Sequence, residues 1–236
     1  DRAARELATR RGRLEHTIRR SIRVITGNEY LAGHARRFSP AVSVLPTAVP
    51  VPPRCPDRPQ RDTVTIGWIG AASTIHYLEP LAPVLRDLCA RHPHVRVTLV
   101  ANRFPDLGLP AMDCRPWGIT SEEADLDTFD IGIMPLHDDY GKGKCAYKLL
   151  QYFSRGIPAV ASPVGVNAEI IRNGENGFAA STPDEWRMHL ETLIADHALR
   201  ERLGRNGYEL ARRVYSRDVI GPQLAGIITE TLSTAP

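Results

Sequence analysis

The sequence predicts an α/β fold: a doubly wound parallel sheet of five or six strands with a helical C-terminal tail. Three observations predict it. From residue 64 onward, short apolar runs alternate with amphipathic helical segments, the pattern of a parallel sheet with crossover helices on both faces. Val95–Val100 and Phe129–Met134 are nearly all apolar, as strands buried on two sides are. Two or three helical segments then close the chain with no strand among them.

Taken in order, Leu7, Leu14 and Ile18 follow a loose helical spacing through Arg20. Ile22–Ile25 alternates as a short strand, Asn28 caps a helix over Glu29–Arg37, and Val42–Leu45 is a second strand. Pro46–Pro59 holds six prolines in 14 residues. Such a stretch is neither helix nor central strand and reads as an exposed, extended linker at a domain boundary. The domains are therefore 1–45, a linker 46–61, and 62–236. Beyond the linker, strands are expected at Val64–Ile69, Val95–Val100, Met112–Arg115, Phe129–Met134, Ala159–Ser162 and Gly177–Ala180. Helices are expected at Thr74–Arg91, Ser121–Leu126, Lys144–Arg155, Asn167–Arg172, Asp184–His197, Arg200–Val214 and Val219–Leu232.

With 42% hydrophobic and 24% charged residues over 236 positions, the chain is neither disordered nor fibrous. No run reaches the roughly 18 apolar residues of a membrane span. The four cysteines, Cys55, Cys89, Cys114 and Cys145, lie far apart with no C-x-x-C and read as reduced thiols of a cytoplasmic protein. The histidines do not cluster at metal spacing. Residues 1–37 hold ten Arg and four acids. That start suits a solvated helix face or an anionic membrane surface. The expectation is no nucleic-acid partner, with peripheral membrane contact left open.

Ligands of such a sheet bind beyond the carboxyl ends of its strands, which directs attention to three loops. Gly70, Ala71 and Ser73 follow the first strand, where small residues let backbone N–H groups approach an anion. The second loop carries Gly143, Lys144, Cys145, Lys148 and Gln151. A helix from Lys144 would place Lys144, Lys148 and Gln151 on one face. Two lysines at a helix start oppose the macrodipole and call for an anion such as a diphosphate, although solvated lysines are the plainer alternative. The third loop offers Gly165 and Asn167, with Asn167 as a helix cap or a ligand contact. Asp138-Asp139 is the only acidic pair resembling a cation site and reads as a solvated loop pair; no metal ligand is assigned.

Residues 129–180, FDIGIMPLHDDYGKGKCAYKLLQYFSRGIPAVASPVGVNAEIIRNGENGFAA, resemble the donor-binding domain of family 4 retaining glycosyltransferases. YKLLQYFSRGIPAVAS followed by NAEIIRNGENGF is the most specific part. GWIGAASTIHYLEPL is similar to the first strand and turn of that domain in a subgroup of the family. ITGNEYLAGHARRF and VSVLPTAV are similar to the end of the preceding domain and the crossover.

The resemblance implies the C-terminal domain of a GT-B fold, with two Rossmann-like domains around a nucleoside-diphosphate sugar. It implies transfer with retention to a saccharide or lipid-linked acceptor and no resident cofactor, with metal usually dispensable. The family's Glu, seven residues, Glu pattern falls on Gly143 and Gln151, so both acids are absent. Lys144 and Lys148 are then the candidates for meeting the diphosphate charge. Gly70, Ala71, Ser73, Gly143, Cys145, Gln151, Gly165 and Asn167 are the candidates for holding the donor. The acceptor domain is expected to be missing, residues 1–45 being its end, and the chain alone to be inactive. The terminal helix would cross back onto that domain, leaving Leu224, Ile227, Ile228 and Leu232 free to favour a homodimer. A sugar-nucleotide epimerase using His76 and His137, and a non-catalytic nucleotide-binding module, remain as alternatives.

Overall fold

The computed structural model describes residues 2–109 and 112–234, with side chains from Thr9 onward; Leu7 lies outside the described side chains. The chain opens with α1 (Arg2–Arg20), β1 (Val24–Thr26), α2 (Glu29–Ala35) and β2 (Val42–Val44). β1 and β2 pair in parallel, Val24 opposite Val42, as a two-stranded sheet separate from the main one. Asn28 caps α2 as expected, its Oδ1 accepting from the Leu31 N–H at 2.9 Å. Its Nδ2 donates to the carbonyls of Lys142 and Lys144, at 3.2 Å each. One side chain thus ties the N-terminal segment to the second candidate loop.

The proline-rich stretch is not an exposed linker. Val49 is 1% exposed, its N–H donates to the Tyr215 carbonyl at 2.9 Å, and the Tyr208 hydroxyl donates to the Pro52 carbonyl at 2.7 Å. The Arg58 guanidinium donates to the carbonyls of Arg155, Asp127 and Phe129. Prolines forbid a ladder but leave every carbonyl as an acceptor, so the segment is laid on the domain as a strap.

The main sheet comprises β3 (Val64–Ile69), β4 (Val95–Ala101), β5 (Met112–Pro116), β6 (Ile131–Met134), β7 (Ala159–Ala161) and β8 (Gly177–Ala179). All pairs are parallel, in the order β5-β4-β3-β6-β7-β8. One face packs Ile66, Trp68, Leu85, Leu88 and Leu190 into a core. The other packs Ile69, Phe129, Leu149, Phe153 and Ile157. The doubly wound expectation holds, with six strands.

Three helices differ from the sequence reading. The Thr74–Arg91 helix is two 3-10 segments, Ala72–Tyr77 and Glu79–Leu81, followed by α3 (Ala82–Arg91). A continuous α-helix would need N–H groups that Pro80 and Pro83 lack. The Lys144–Arg155 helix is α6 (Tyr147–Ser154), after α4 (Glu122–Leu126) and the short α5 (Asp139–Lys142). Ala146 takes φ 54°, in the left-handed region, so no right-handed helix runs through it. Asn167 does not cap its helix. That helix is α7 (Val166–Ile170), entered from Gly165 at φ +56°. A side chain at Gly165 would stand 2.9 Å from the Lys142 carbonyl.

α8 (Pro183–Ala195) begins in a Thr182–Glu185 capping box, and α9 (His197–Leu210) is capped by Asp196. A π-turn over Ala211–Tyr215 leads to α10 (Arg217–Thr234). Glu230 of α10 pairs with Arg23 at 3.3 Å, so the last helix reaches back to the N-terminal segment. Leu224, Ile228 and Leu232 are exposed on it.

Candidate functional site

β3 and β6 are neighbours, and the chain leaves them toward opposite sides of the sheet, which opens a crevice beyond their carboxyl ends. A cavity of about 470 Å³ occupies it, within the size range of small-molecule sites. Gly70, Ala71, Ser73 and Thr74 enter it after β3, Asn102 after β4, and Trp117 after β5. Glu122 comes from α4, and Lys144, Cys145, Tyr147, Lys148 and Gln151 from α6 and the turn before it. Seven residues singled out in the sequence therefore meet: Gly70, Ala71, Ser73, Lys144, Cys145, Lys148 and Gln151. Gly143, Gly165 and Asn167 are not among those that line it.

Lys148 lies in the first turn of α6 and is partly buried. Burial lowers its ammonium to about 8, and the charge of Lys144 pushes the same way. Among the described residues it has no carboxylate within 4.0 Å; its Nζ lies 5.3 Å from the centre of a Trp68 ring. A side chain at Gly70 would come within 2.7 Å of Lys148 Cε, so glycine there lets the lysine pass to the cavity. Two cations thus face one hollow at the positive end of a helix, an arrangement that favours a dense anion.

Gln151, which also lines the cavity, is buried and its Nε2 donates to Glu122 Oε1 at 2.9 Å. Trp117 Nε1 donates to Glu122 Oε2 at 2.7 Å. Glu122 and Trp117 escaped the sequence reading. Glu122 stands in an acidic run that looks solvated, and nothing local signals its approach to a residue 29 positions away.

The remaining candidates have structural partners. Asn167 Nδ2 donates to the Ser162 carbonyl at 3.1 Å, while its buried Oδ1 has no hydrogen-bond partner among the described residues. Asp138 is exposed, as expected of a loop residue, but it also has partners. It accepts from the Tyr77 hydroxyl at 2.7 Å and caps α5 through the Gly141 N–H at 2.8 Å. The Tyr77 hydrogen bond, above all, holds its carboxyl below the usual range. His76 and His137 lie edge to face, 6.0 Å between centres, and neither lines the cavity. Among the described residues, no group of three or more His, Cys, Asp or Glu is placed to hold a metal ion.

Residues 129–210 match the family described as "Glycosyl transferases group 1". No curated protein sequence matches the chain. Among solved structures, TarM from S. aureus, in complex with fondaparinux, alpha-GlcNAc-glycerol and UDP, is 13% identical with a TM-score of 0.69. The match covers 87% of this chain and 43% of that one. Anabaena Alr3699/HepE, in complex with UDP and glucose, is 17% identical with a TM-score of 0.66, covering 91% and 64%. The chain thus spans less than two thirds of either. The C-terminal domain of a group 1 glycosyl transferase, LpcC from Francisella tularensis, is 20% identical with a TM-score of 0.53, covering 65% and 86%. The fold is that of the C-terminal domain of GT-B glycosyltransferases, and over residues 129–210 the chain resembles the group 1 glycosyltransferases in sequence as well.

Proposed function

We propose that the cavity binds a nucleoside-diphosphate sugar and that the chain is the donor-binding half of a glycosyltransferase. The observation that carries the reading is the pair Lys144 and Lys148, two cations on one cavity with no carboxylate within 4.0 Å of Lys148 among the described residues. A diphosphate would neutralise both. Gln151 and Glu122, on the same hollow, offer acceptors for ribose hydroxyls. On this reading Glu122 supplies from α4 the carboxylate that the family pattern would carry at Gln151.

The chemistry follows from that placement. As the glycosyl–oxygen bond breaks, its electron pair stays on the diphosphate oxygen. Lys144 and Lys148 meet the growing negative charge from fixed positions. Side-chain cations thereby take the part a divalent ion would otherwise play. Retention at the anomeric carbon and a saccharide or lipid-linked acceptor belong to this proposal and rest on the sequence resemblance. So does the division into the end of an acceptor domain (1–45), a connecting strap (46–61) and a donor domain (62–236), with turnover needing a complete acceptor domain. A cytoplasmic setting with peripheral membrane contact belongs to the proposal too. No described helix is long and apolar enough to cross a membrane.

The test is a calorimetric titration with UDP, GDP, ADP and dTDP, first in EDTA and then in Mg²⁺. UDP, present in the TarM and HepE complexes, is expected to bind saturably with or without Mg²⁺. No binding of any of the four to a folded chain overturns the reading. A non-catalytic nucleotide-binding module is the second reading, favoured by the absence of both motif acids at Gly143 and Gln151. Nucleotide binding without any loss of sugar from the bound donor, in a chain joined to its acceptor domain, would select it.

A further inference from the structure

At the amino edge of the sheet, opposite the donor cavity, the strap and α9 enclose a hollow of about 300 Å³. Strap residues 55–59 form one wall. His197, Glu201 and Arg205, spaced by four along α9, form the other, and Gly156, before β7, adds to the lining. Arg58, Gly156, His197 and Glu201 also line a narrower recess that adds Asp130, just before β6, and Arg200. Charge over the two linings is balanced, with Arg58, Arg200 and Arg205 against Asp57, Asp130 and Glu201.

Two of these charges are spaced to neutralise each other on their own helix. An acid four residues before an arginine is the favourable order for a helical ion pair. Elsewhere in the chain that order closes: Asp87 pairs with Arg91 at 2.6 Å and Glu209 with Arg213 at 3.1 Å. Glu201 and Arg205 have the same order and spacing. Among the described residues neither makes an ion pair within 4.0 Å, and both line the hollow. Arg205 lies near enough to the strap for its charge to act on the Cys55 thiol. The hollow thus presents one anion and one cation, each open to a ligand.

We infer that this hollow binds a free aliphatic α-amino acid, its ammonium on Glu201, its carboxylate on Arg205 and its side chain against Pro56 and Pro59. A zwitterion answers both poles and adds no net charge to a balanced lining. A phosphate brings excess negative charge, which Asp57, Asp130 and Glu201 oppose. A quaternary ammonium is recognised by an aromatic cage, and no Phe, Tyr or Trp is among the described residues that line the hollow. At about 300 Å³ it lies at the small end of ligand sites, which suits one amino acid. Bound there, the amino acid bridges the strap and α9 and stabilises the folded chain by mass action.

The inference is independent of the donor reading, since the hollow shares no lining residue with the donor cavity. The test is calorimetry and thermal unfolding of the full chain with L-leucine and L-valine. For each, the amine lacking the carboxylate and the acid lacking the ammonium are compared (for leucine, isopentylamine and isocaproate). The expected result is saturable binding of at least one amino acid, with a raised melting temperature and slower proteolysis within residues 46–61. Its amine and its acid are each expected to bind at least about tenfold more weakly. Glu201→Gln and Arg205→Gln are expected to weaken it by a similar factor, with UDP binding as in the unaltered chain. No binding of either amino acid overturns the site. So does an amine or acid that binds as tightly as its amino acid, or inorganic phosphate binding in their place. Binding that survives both substitutions overturns the assignment of the two poles. Amino-acid binding without UDP binding keeps this site and overturns the donor reading.

Discussion

Lys148 sits in the first turn of α6, where the helix dipole opposes a cation, and its neighbours add Lys144 rather than an acid. Folding gains nothing from that arrangement, so a ligand is the natural counter-charge. Lys148→Met keeps the stem and removes the charge. It is expected to weaken UDP binding about 10- to 100-fold, with a melting temperature unchanged or higher. The pH dependence has a definite sign. A lysine lowered to about 8 is less protonated in the folded chain than unfolded between about 8 and its ordinary value, so stability rises with pH across that window. Nucleotide affinity moves oppositely. It is expected to fall as pH rises through about 8, with proton uptake on binding just above that pH, seen by calorimetry in buffers of different ionisation enthalpy. Lys148→Met should flatten that profile.

Among the elements, α9 decides how closely the C-terminal helices approach the sheet. A side chain at Gly204 would lie 2.0 Å from the Gly156 carbonyl oxygen. Gly156 is itself held at φ +67° between α6 and β7, so the obstacle is backbone and cannot rotate away. Gly204→Ala gains about 1 kcal/mol of helix propensity but forces α9 outward, at about 1–3 kcal/mol. The clash is with fixed backbone, so the loss is expected to win, read as a lower urea midpoint. The same scale shows why part of the site was hidden in the sequence. Helical spacing alone puts Lys144, Lys148 and Gln151 on one face of one helix, yet Ala146 breaks that helix. A left-handed turn, not an i, i+4 spacing, brings Lys144 to the cavity. Glu122 arrives on α4, which the β4–β5 pairing carries to the same edge.

For the whole molecule, the strap of residues 46–61 joins the N-terminal segment to the sheet domain, and Arg58 is its fastening. Burial lowers the Arg58 guanidinium to about 10, against the pull of Asp127 and Asp130, so it remains charged at neutral pH. It satisfies the carbonyls of Arg155, Asp127 and Phe129 at once. Arg58→Met leaves all three without that donor and is expected to cost about 3 kcal/mol or more. Faster limited proteolysis within residues 46–61 would accompany a lower urea midpoint.

The alternation of apolar runs determined by itself that the chain is a doubly wound sheet. The small residues after β3 and the lysines after β6 point to the carboxyl edge, where they line one cavity. Hydrophobic periodicity and glycine placement act over a few residues and are written locally. What only the tertiary structure decided depends on contacts between distant segments. The burial of the strap rests on Arg58 reaching carbonyls some 70 to 100 positions away. The carboxylate beside Gln151 comes from another element, and Asn28 ties α2 to the α5 loop more than a hundred positions away. Gly143, Gly165 and Asn167 follow strands at that same edge but do not line the cavity there, because a loop's place in the sequence does not say which of its residues turns inward.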